Sequence, residues 1–278
     1  MPTETLSAAA ERRRVGGPGL LELAAPIDVT SEAECNWYHT FTKPDGSIIR
    51  GPWDYRHNVD DYLGHCDFRG KSVIEFGPAS GFLTVAMEKR GASVTAIDVS
   101  DNEPWEAVPR ADRDISGWMR SRSPTMLKMK KSWWYTQKLY NCSANVSYCG
   151  VSGINALVDT LHFDVCLIGG ILQHVRYPLD LLWATSKIAD RVIVTERFLP
   201  RYENAGPVAE FLPAGDNDVV GSWWQFTSGV VTNAMNVFGF ERASMTRFDC
   251  RKWDLQTPDI ERDISREIPM FNLLFERR

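Results

Sequence analysis

The stretch SVIEFGPASGFLTVAMEKRGASVTAIDVS, residues 72–100, decides the fold of this chain. Residues 72–76 form a short apolar run that ends at a glycine, as a buried strand does. Residues 80–90 place apolar side chains on one face of a helix, and Gly91 follows where helices commonly end. Residues 94–99 predict a second strand. A strand, a helix and a second strand in this order indicate a parallel pair joined by a crossover helix.

The alternation of strands and helices continues to the end of the chain. Further elements are predicted as strands at 145–149, 163–168 and 191–195, helices at about 178–189 and 222–238, and two extended runs at about 241–250 and 268–276. Because no helix separates the last two runs, we expect them to form an antiparallel hairpin. The prediction is an α/β fold: a doubly wound, mostly parallel seven-stranded sheet with that hairpin at its edge.

The composition is that of a folded globular protein. Apolar residues make up 44% of the 278 residues and charged residues 24%, which excludes a disordered chain, a collagen and a coiled coil. The net charge of −5 gives no global basic field that would attract nucleic acid. No apolar run reaches the roughly 18–20 residues that span a bilayer, so no membrane insertion is expected. Six scattered cysteines without a CxxC pair indicate reduced thiols in a cytoplasmic protein.

Changes in composition divide the chain into segments. Residues 1–30, rich in Ala, Arg, Gly and Pro, are predicted to be a mobile N-terminal arm. Residues 31–70 form an aromatic-rich segment that we call the cap segment. Residues 71–278 form the α/β domain, with a basic insertion at about 105–140 and a Pro- and Gly-rich loop at about 199–222. Because that loop follows a predicted strand of the sheet, we interpret it as a lid over the ligand crevice, with a disordered excursion as the alternative.

The turn between the first strand and the first helix carries the clearest chemical signal. Gly77 and Gly81 allow a tight backbone turn and a close approach of a ligand to the helix. Asp98 ends the next strand, where a carboxylate can accept two hydrogen bonds from a ribose diol. Pro78 and Ala79 stand where a dinucleotide-binding turn has its middle glycine. The turn therefore predicts a nucleoside ligand other than a dinucleotide.

The pattern Glu75-x-Gly77-x-x-x-Gly81, with Asp98 after the second strand, resembles motif I of class I S-adenosylmethionine (SAM)-dependent methyltransferases. The resemblance continues through FDVCLIGGILQHVRYPLDLL and the final GFE…FNLLFE hairpin, and spans about residues 71–278. The upstream segment WYHTFTKPDGSIIRGPWDYR is similar to a methyltransferase group related to tRNA wobble-uridine modification enzymes. The resemblance implies a Rossmann-like methyltransferase fold, SAM as the cofactor and S-adenosylhomocysteine (SAH) as its product.

The resemblance also implies a set of cofactor-binding residues around the methionine part, the ribose, the adenine and the transferred methyl group. They are Glu75, Gly77, Pro78 and Gly81 in the turn, Asp98 at the ribose, Val99 on the adenine, and Gly169 and Gly170 beside the methyl group. Many family members also carry an acid after the third strand that binds the adenine amino group. This chain has no acid in residues 148–152, so Ser152 or a backbone carbonyl is expected to substitute.

Two histidines are the candidates for proton transfer. His174 follows the fourth predicted strand, near the expected methyl group, and an imidazole of ordinary pKa can remove a proton from a hydroxyl or an amine. The alternative is a structural histidine under the sheet edge. His39, in the cap segment, either closes over the site or satisfies a backbone carbonyl. The five histidines have no metal-ligand spacing, so no metal is predicted.

Aromatic and basic side chains outside the sheet are the candidates for acceptor binding. Most of the ten tryptophans fall in the cap segment, the insertion and the surroundings of the lid, which favours an acceptor site with aromatic walls. The insertion carries eight lysines and arginines against two aspartates between residues 110 and 140. It is either a solvated helix with core aromatics or a surface for an anionic substrate. The candidate substrate-binding residues are Tyr38, Arg56, His57, Trp133, Trp134 and Trp223.

These features predict a SAM-dependent methyltransferase that acts on an oxygen or a nitrogen of a small-molecule acceptor. An anionic acceptor, or one from a glycan or natural-product pathway, would agree with the basic insertion. Two alternatives remain: transfer of a methyl or modified methyl group to tRNA, and a non-catalytic module that binds SAM or SAH. The sequence names neither the acceptor nor the oligomeric state.

Overall fold

The computed structural model describes residues 21–100, 106–202, 204–254 and 265–278. Within these residues the strands are, in chain order, β1 (Phe41–Thr42), β2 (Ile48–Ile49), β3 (Trp53–Asp54), β4 (Ser72–Phe76), β5 (Ser93–Ile97), β6 (Asn145–Ser147), β7 (Phe163–Gly169), β8 (Ala189–Arg197), β9 (Ala209–Phe211), β10 (Trp224–Phe226), β11 (Phe240–Trp253) and β12 (Ser265–Arg277). The helices are α1 (Val59–Tyr62), α2 (Phe82–Glu88), α3 (Ile115–Leu139), α4 (Gly150–Asn155), α5 (Pro178–Ile188) and α6 (Ser228–Val237). Short 3₁₀ turns lie at Glu32–Glu34, Leu172–His174 and Pro200–Tyr202.

The largest sheet in the described residues has the strand order β3-β11-β12-β8-β7-β4-β5-β6. Strands β6, β5, β4, β7 and β8 are parallel, whereas β12 and β11 are antiparallel. The structure therefore confirms the doubly wound, mostly parallel α/β fold with an antiparallel hairpin at its edge. It adds an eighth strand to the seven predicted, because β3 of the cap segment pairs with β11.

Both faces of the parallel sheet are covered, which explains its nearly continuous apolar strands. Ile74 and Ile168 lie in the core cluster that includes residues of α5 and α6. Val73 and Leu167, their neighbours in the chain, lie in the opposite cluster with residues of α2 and α3. All four side chains are fully buried. Alternate residues of each strand thus stabilise two cores, and the carboxyl ends of the strands all meet at one edge.

The segment after β8 differs from its prediction. The helix expected at about 222–238 begins only at Ser228, because the preceding Thr227 is extended, with φ −78° and ψ 155°. Trp223 and Trp224 therefore do not open a helix. Trp224 lies in β10, which pairs with β9 inside the predicted lid. The lid thus contributes one strand, β9, to a short two-stranded ladder. Strands of three residues are too short for a periodic pattern to predict them.

The basic insertion forms one long helix. Helix α3 has 25 residues and contains Pro124; its N-cap is Asp114, whose side chain accepts a hydrogen bond from the backbone N–H of Gly117 at 2.8 Å. Among the described residues, no helix combines the length and the apolar character needed to cross a bilayer.

Part of the predicted N-terminal arm, residues 21–30, lies within the described residues. Residues 1–20 lie outside the described residues. Leu21 and Val29 are 5% and 3% exposed, and the backbone N–H of Ala24 donates to the carbonyl oxygen of Val146 at 2.8 Å. Residues 21–30 are therefore packed on the domain, because their apolar side chains complete the two cores.

A buried polar cluster joins the cap segment to the sheet. The carbonyl oxygen of Tyr62 accepts hydrogen bonds from Asn272 Nδ2 at 2.8 Å and from Thr195 Oγ1 at 2.7 Å. Asn272 Nδ2 also donates to Thr195 Oγ1 at 2.7 Å. All three residues are at most 1% exposed. The end of α1 is therefore fixed to β8 and β12 by groups that have no access to water.

We expect Asn272→Ala to lower the free energy of unfolding by about 1–3 kcal/mol, because it removes two buried hydrogen bonds and leaves their acceptors less satisfied. Urea denaturation measures the change. The control is Asn233→Ala on the exposed side of α6, which should change stability by less than about 0.5 kcal/mol. Equal stability of Asn272→Ala and the wild type would show that the cluster does not hold the cap segment.

Candidate cofactor and acceptor site

The turn between β4 and α2 has a backbone that favours glycine. Gly77, Ala79 and Gly81 all have positive φ, at 70°, 47° and 85°. A Cβ at Gly77 would lie 3.0 Å from Ile171 Cδ1, and one at Gly81 would lie 3.1 Å from Trp133 Cδ1. The turn is therefore tight and closely surrounded, and Ala79 holds a conformation that costs a non-glycine residue energy.

A chain of buried hydrogen bonds supports this turn. Thr84 Oγ1 donates to Glu75 Oε2 at 2.5 Å, and Trp133 Nε1 donates to Thr84 Oγ1 at 3.2 Å. Burial raises the pKa of Glu75 to about 7; the nearby Asp98 adds to the rise, and the hydrogen bond from Thr84 opposes it. These hydrogen bonds connect β4, α2 and α3 directly behind the turn.

Asp98 stands just past the end of β5 with its backbone fixed on both sides. Its N–H donates to Ser147 O at 3.0 Å, and its carbonyl oxygen accepts from the N–H of Gly150 at 3.2 Å. The carboxylate accepts from the N–H of Val99 at 2.8 Å. Burial raises the pKa of Asp98 to about 6, while the nearby Lys130 lowers it. The carboxylate is thus oriented and is ionised at neutral pH.

A cavity of about 480 Å³ lies next to Asp98, between the end of β5 and helix α3. Val99 forms one wall, and Met126 and Leu127 of α3 are among the residues of the other. Its apolar lining is suited to a flat, weakly polar ring. Helix α4 begins beside this site, but the predicted adenine contact of the Ser152 side chain falls outside what the structure describes.

His174 ends the 3₁₀ turn that follows β7, and its ring is held by the lid. His174 Nδ1 lies 2.6 Å from the carbonyl oxygen of Gly221. Because a carbonyl oxygen only accepts hydrogen bonds, Nδ1 carries the proton and Nε2 is the basic nitrogen of the neutral ring. Burial lowers the pKa of His174, Arg122 lowers it further, and the bond to Gly221 opposes them. The ring is therefore neutral at pH 7.

Sequence reasoning missed Glu196, which positions this turn. Glu196 Oε1 accepts a hydrogen bond from the backbone N–H of Leu172 at 2.8 Å, and the residue is 5% exposed. Burial raises its pKa to about 8, and the hydrogen bond to Leu172 opposes the rise. The signal was present in the sequence: a glutamate directly after the apolar run of β8 has to be satisfied by a neighbouring backbone.

A larger cavity, of about 900 Å³, adjoins the first one. Arg122 lines both cavities, so they share a wall. His174 also lines the larger cavity, and the remaining lining is mainly aromatic or basic. Its aromatic residues are Trp37, Tyr38, Trp53 and Trp253, and its other basic residues are Arg197, Lys252 and Arg266. The cap segment, α3 and the C-terminal hairpin together form this space.

Three predicted residues lie on these cavities: Val99 on the smaller one, and Tyr38 and His174 on the larger. Gly169 and Gly170 lie at the end of β7 against Tyr62; a Cβ at Gly169 would be 2.9 Å from Tyr62 Oη. Pro78 is buried in the turn, where its carbonyl oxygen accepts from the N–H of Gly81 at 2.8 Å.

His39 lies in the core and is not among the residues that line the cavities. It is 4% exposed, its N–H donates to Ser80 Oγ at 2.9 Å, and its Nδ1 lies 3.2 Å from the same oxygen. Burial lowers its pKa to about 3. This placement favours a role in positioning Ser80 and the glycine turn over a role in proton transfer.

The other candidate substrate residues do not line the larger cavity. Trp133 and Trp134 are 2% and 6% exposed and belong to the core, where Trp134 Nε1 donates to Tyr148 Oη at 3.1 Å. Both side chains pack into the core that contains α2 and are turned away from the larger cavity. Arg56 forms an ion pair with Asp54 at 2.7 Å.

His57 is exposed, and Trp223 is 6% exposed beneath the lid. Trp223 Nε1 donates to the carbonyl oxygen of Glu106 at 2.6 Å, and its N–H donates to Gln173 O at 2.7 Å. The two hydrogen bonds of Trp223 therefore hold the lid next to the 3₁₀ turn of His174. Trp223 itself does not line the cavity.

The basic insertion does not present its charges as one surface. Lys130 is 5% exposed and lies over the ring of Tyr148, and Lys131 Nζ forms an ion pair with Glu34 at 2.7 Å. Arg110 pairs with Asp112 at 2.9 Å. Among the residues that the structure describes, no group of three His, Cys, Asp or Glu side chains is arranged to hold a metal ion.

The pKa of Glu75 predicts a pH-dependent stability. The folded protein holds this proton more tightly than the unfolded chain, so the contribution to stability is largest below the unfolded pKa of 4.5 and is lost as the pH rises through about 7. We expect Glu75→Gln, which keeps an oxygen for Thr84, to reduce the fall in the free energy of unfolding between about pH 5 and 9. Urea denaturation across that range measures it.

The matched variant is Thr84→Val, which removes the hydrogen bond that lowers the Glu75 pKa and should move the same transition to higher pH. Any slope that persists in Glu75→Gln is assigned to Asp98 and Glu196, whose pKa values are also raised. An identical slope in Glu75→Gln and the wild type would contradict the assignment.

No protein-family model matches the chain, and no curated protein matches it. Solved structures do: the N-terminal domain of EvdMO1, solved in the presence of SAH and D-fucose, aligns over 100% of both chains with a TM-score of 0.50 and 12% identity. The SAH-bound form of that domain gives the same TM-score of 0.50 over 98% of this chain and 97% of that chain, at 12% identity.

A methyltransferase of known acceptor is also similar. The 1,6-didemethyltoxoflavin-N1-methyltransferase of Burkholderia thailandensis, solved with 1,6-didemethyltoxoflavin and SAH, aligns over 79% of this chain and 74% of that chain, with a TM-score of 0.47 and 13% identity. At 12% identity, the likeness to the EvdMO1 domain establishes the fold alone. This chain has the Rossmann-like methyltransferase fold.

Proposed function

We propose that the protein is a SAM-dependent methyltransferase that acts on an oxygen or a nitrogen of a small-molecule acceptor. One observation carries the proposal: the glycine turn, the oriented carboxylate of Asp98 and two adjoining cavities occupy the same carboxyl edge of the sheet. Ligands of open α/β sheets bind at that edge. The fold likeness to a domain that was solved with SAH supports the same ligand here.

The residues at the turn fit SAM. Gly77 and Gly81 leave the backbone open to the amino-acid part, and Asp98 accepts two hydrogen bonds from the ribose hydroxyls. Val99 packs on the adenine in the smaller cavity, which has the apolar lining that a base requires. When bound, SAM supplies an activated methyl group, to which the acceptor forms its new bond as the carbon–sulfur bond breaks and SAH remains.

The larger cavity is the proposed acceptor site, and His174 is the proposed base. Its Nδ1 proton is held by Gly221, so Nε2 can take the proton of an attacking hydroxyl or amine. Its lowered pKa keeps the ring neutral and therefore competent at pH 7. Glu196 acts indirectly, by holding the backbone of the turn that carries His174. The cap segment and the lid exclude water from the reacting groups.

The two alternative functions, transfer of a methyl or modified methyl group to tRNA and binding of SAM or SAH without catalysis, receive less support from the described residues. The ion pairs of Lys131 and Arg110 and the burial of Lys130 leave no continuous basic surface for tRNA in the described part of the insertion. A SAM-binding module without activity has no need of a second cavity that contains a neutral histidine. We also propose the cytoplasm as its compartment, since the six cysteines are free thiols.

Asp98→Ala is expected to weaken SAH binding at least about a hundredfold, because two hydrogen bonds to a charged acceptor are lost. Isothermal titration calorimetry measures the affinity. The control is Asp45→Ala in the exposed turn between β1 and β2, which should bind SAH as the wild type does. Wild-type affinity in Asp98→Ala would overturn the cofactor assignment. Because the pKa of Asp98 is about 6, wild-type affinity should also fall as the pH drops through that value.

His174→Ala should leave SAH affinity within about twofold of the wild type and lower the rate of methyl transfer at least about a hundredfold, since it removes the base. Transfer of a tritiated methyl group from SAM to a panel of hydroxylated and aminated sugars and aromatic acids measures the rate. His162→Ala, at an ion pair with Asp190 away from both cavities, is the control. Wild-type turnover by His174→Ala across about pH 6–8 would exclude the role.

A further inference from the structure

Three cations come together on the wall of the larger cavity that the C-terminal hairpin provides. Arg197 ends β8, Lys252 lies near the end of β11, and Arg266 lies near the start of β12. All three line the cavity. Because β8, β12 and β11 are neighbours in the sheet, the three side chains lie at one corner of this space.

The placement of two of these charges is unfavourable in the protein alone. Lys252 and Arg266 are direct partners in the antiparallel register of β11 and β12. Like charges directly opposite each other in such a pair are destabilising. Burial lowers the pKa of Lys252 and that of Arg197, and in both cases Arg266 contributes to the lowering. The fold thus maintains a repulsive arrangement at this corner.

Nearby carboxylates offset this repulsion only in part: Asp254 opposes the lowering of the Lys252 pKa, and Glu196 opposes that of the Arg197 pKa. Within residues 21–100, 106–202, 204–254 and 265–278, no carboxylate oxygen forms an ion pair with the side chains of Arg197, Lys252 or Arg266. Asp254 lines the same cavity and is the carboxylate on its wall. Lys252 Nζ lies 5.2 Å from the centre of the Trp53 ring, so an aromatic face stands beside the cations.

We propose that Arg197, Lys252 and Arg266 form an oxyanion subsite, which binds a carboxylate or phosphate group of a ring-bearing acceptor. The inference rests on the proposed function and names the class of its acceptor. An oxyanion between the three cations would replace repulsion with charge-assisted hydrogen bonds. The neighbouring Trp53 and Tyr38 would contact the ring, while His174 on the same cavity faces the group to be methylated.

The subsite differs from the basic surface for an anionic substrate that is one of the two interpretations of the insertion sequence. That surface would use Lys130 and Lys131, which the fold buries or pairs. The cations of the subsite come from the two strands of the C-terminal hairpin and from β8, and their common location depends on strand register. An acceptor held there would have its anionic end at the hairpin and its reactive end toward His174.

The test uses two probes, inorganic phosphate and benzoate, with the full-length protein at constant ionic strength. Line broadening in ³¹P and ¹H NMR gives the affinities of the two probes. Lys252→Gln and Arg266→Gln should each weaken binding about tenfold, because each removes one charge-assisted contact. The control is Arg251→Gln: Arg251 is next to Lys252 on β11 but on the other face, in an ion pair with Glu267 at 3.3 Å.

Binding of phosphate alone would assign a phosphate-bearing acceptor, and binding of benzoate alone a carboxylate; either result supports the subsite. Equal weakening in Arg251→Gln, or no binding of either probe to the wild type, would overturn it. Thermal unfolding checks that each variant is folded, and either of the two cavity variants suffices for the test. SAH affinity is measured in parallel and should stay unchanged in both variants. Loss of probe binding with normal SAH affinity separates this inference from the cofactor assignment, which fails if SAH does not bind or if Asp98→Ala binds it as the wild type does.

Discussion

The hydrogen bond from Thr84 to the buried carboxyl group of Glu75 fixes the part of the molecule on which the site depends. This hydrogen bond joins β4 to α2 across the glycine turn. The indole of Trp133 donates to the same threonine, so the long helix of the insertion is aligned by the same contact. The smaller cavity lies between that helix and the end of β5. The cofactor side of the site therefore follows from the packing of one buried acid.

Ionisable groups with displaced pKa values are concentrated at the carboxyl edge of the sheet. Glu75, Asp98, Glu196 and His174 are all shifted toward their neutral forms, and burial is the largest cause in each case. Buried core groups such as His39 are shifted as well, but a cluster of shifted groups in a cleft is a common feature of functional sites. Glu196 and His174 therefore carry little charge at pH 7 before ligands bind, whereas the far wall of the larger cavity contains Arg197, Lys252 and Arg266.

The signals that could be read from the sequence are local ones. The glycine turn and Asp98 follow from spacing within 30 residues, and the order of strands follows from strand–helix alternation. The direction in which the Trp133 side chain points cannot be predicted from the sequence, because it depends on which face of α3 meets the sheet. The pairing of Lys252 with Arg266 depends on the register of a long hairpin. The acceptor-side residues cannot be predicted from the sequence for this reason: they come from distant segments that meet only in the folded protein.

The contact between His174 and Gly221 couples the protonation of the imidazole to the position of the loop. The carbonyl of a loop residue selects the tautomer of the ring, although 47 positions separate the two in the chain. By thermodynamic linkage, any ligand that displaces this loop also changes the proton affinity of the imidazole, and protonation of the imidazole changes the stability of the closed loop. Closure of the loop at the proposed acceptor site and the protonation state of the proposed base are therefore coupled.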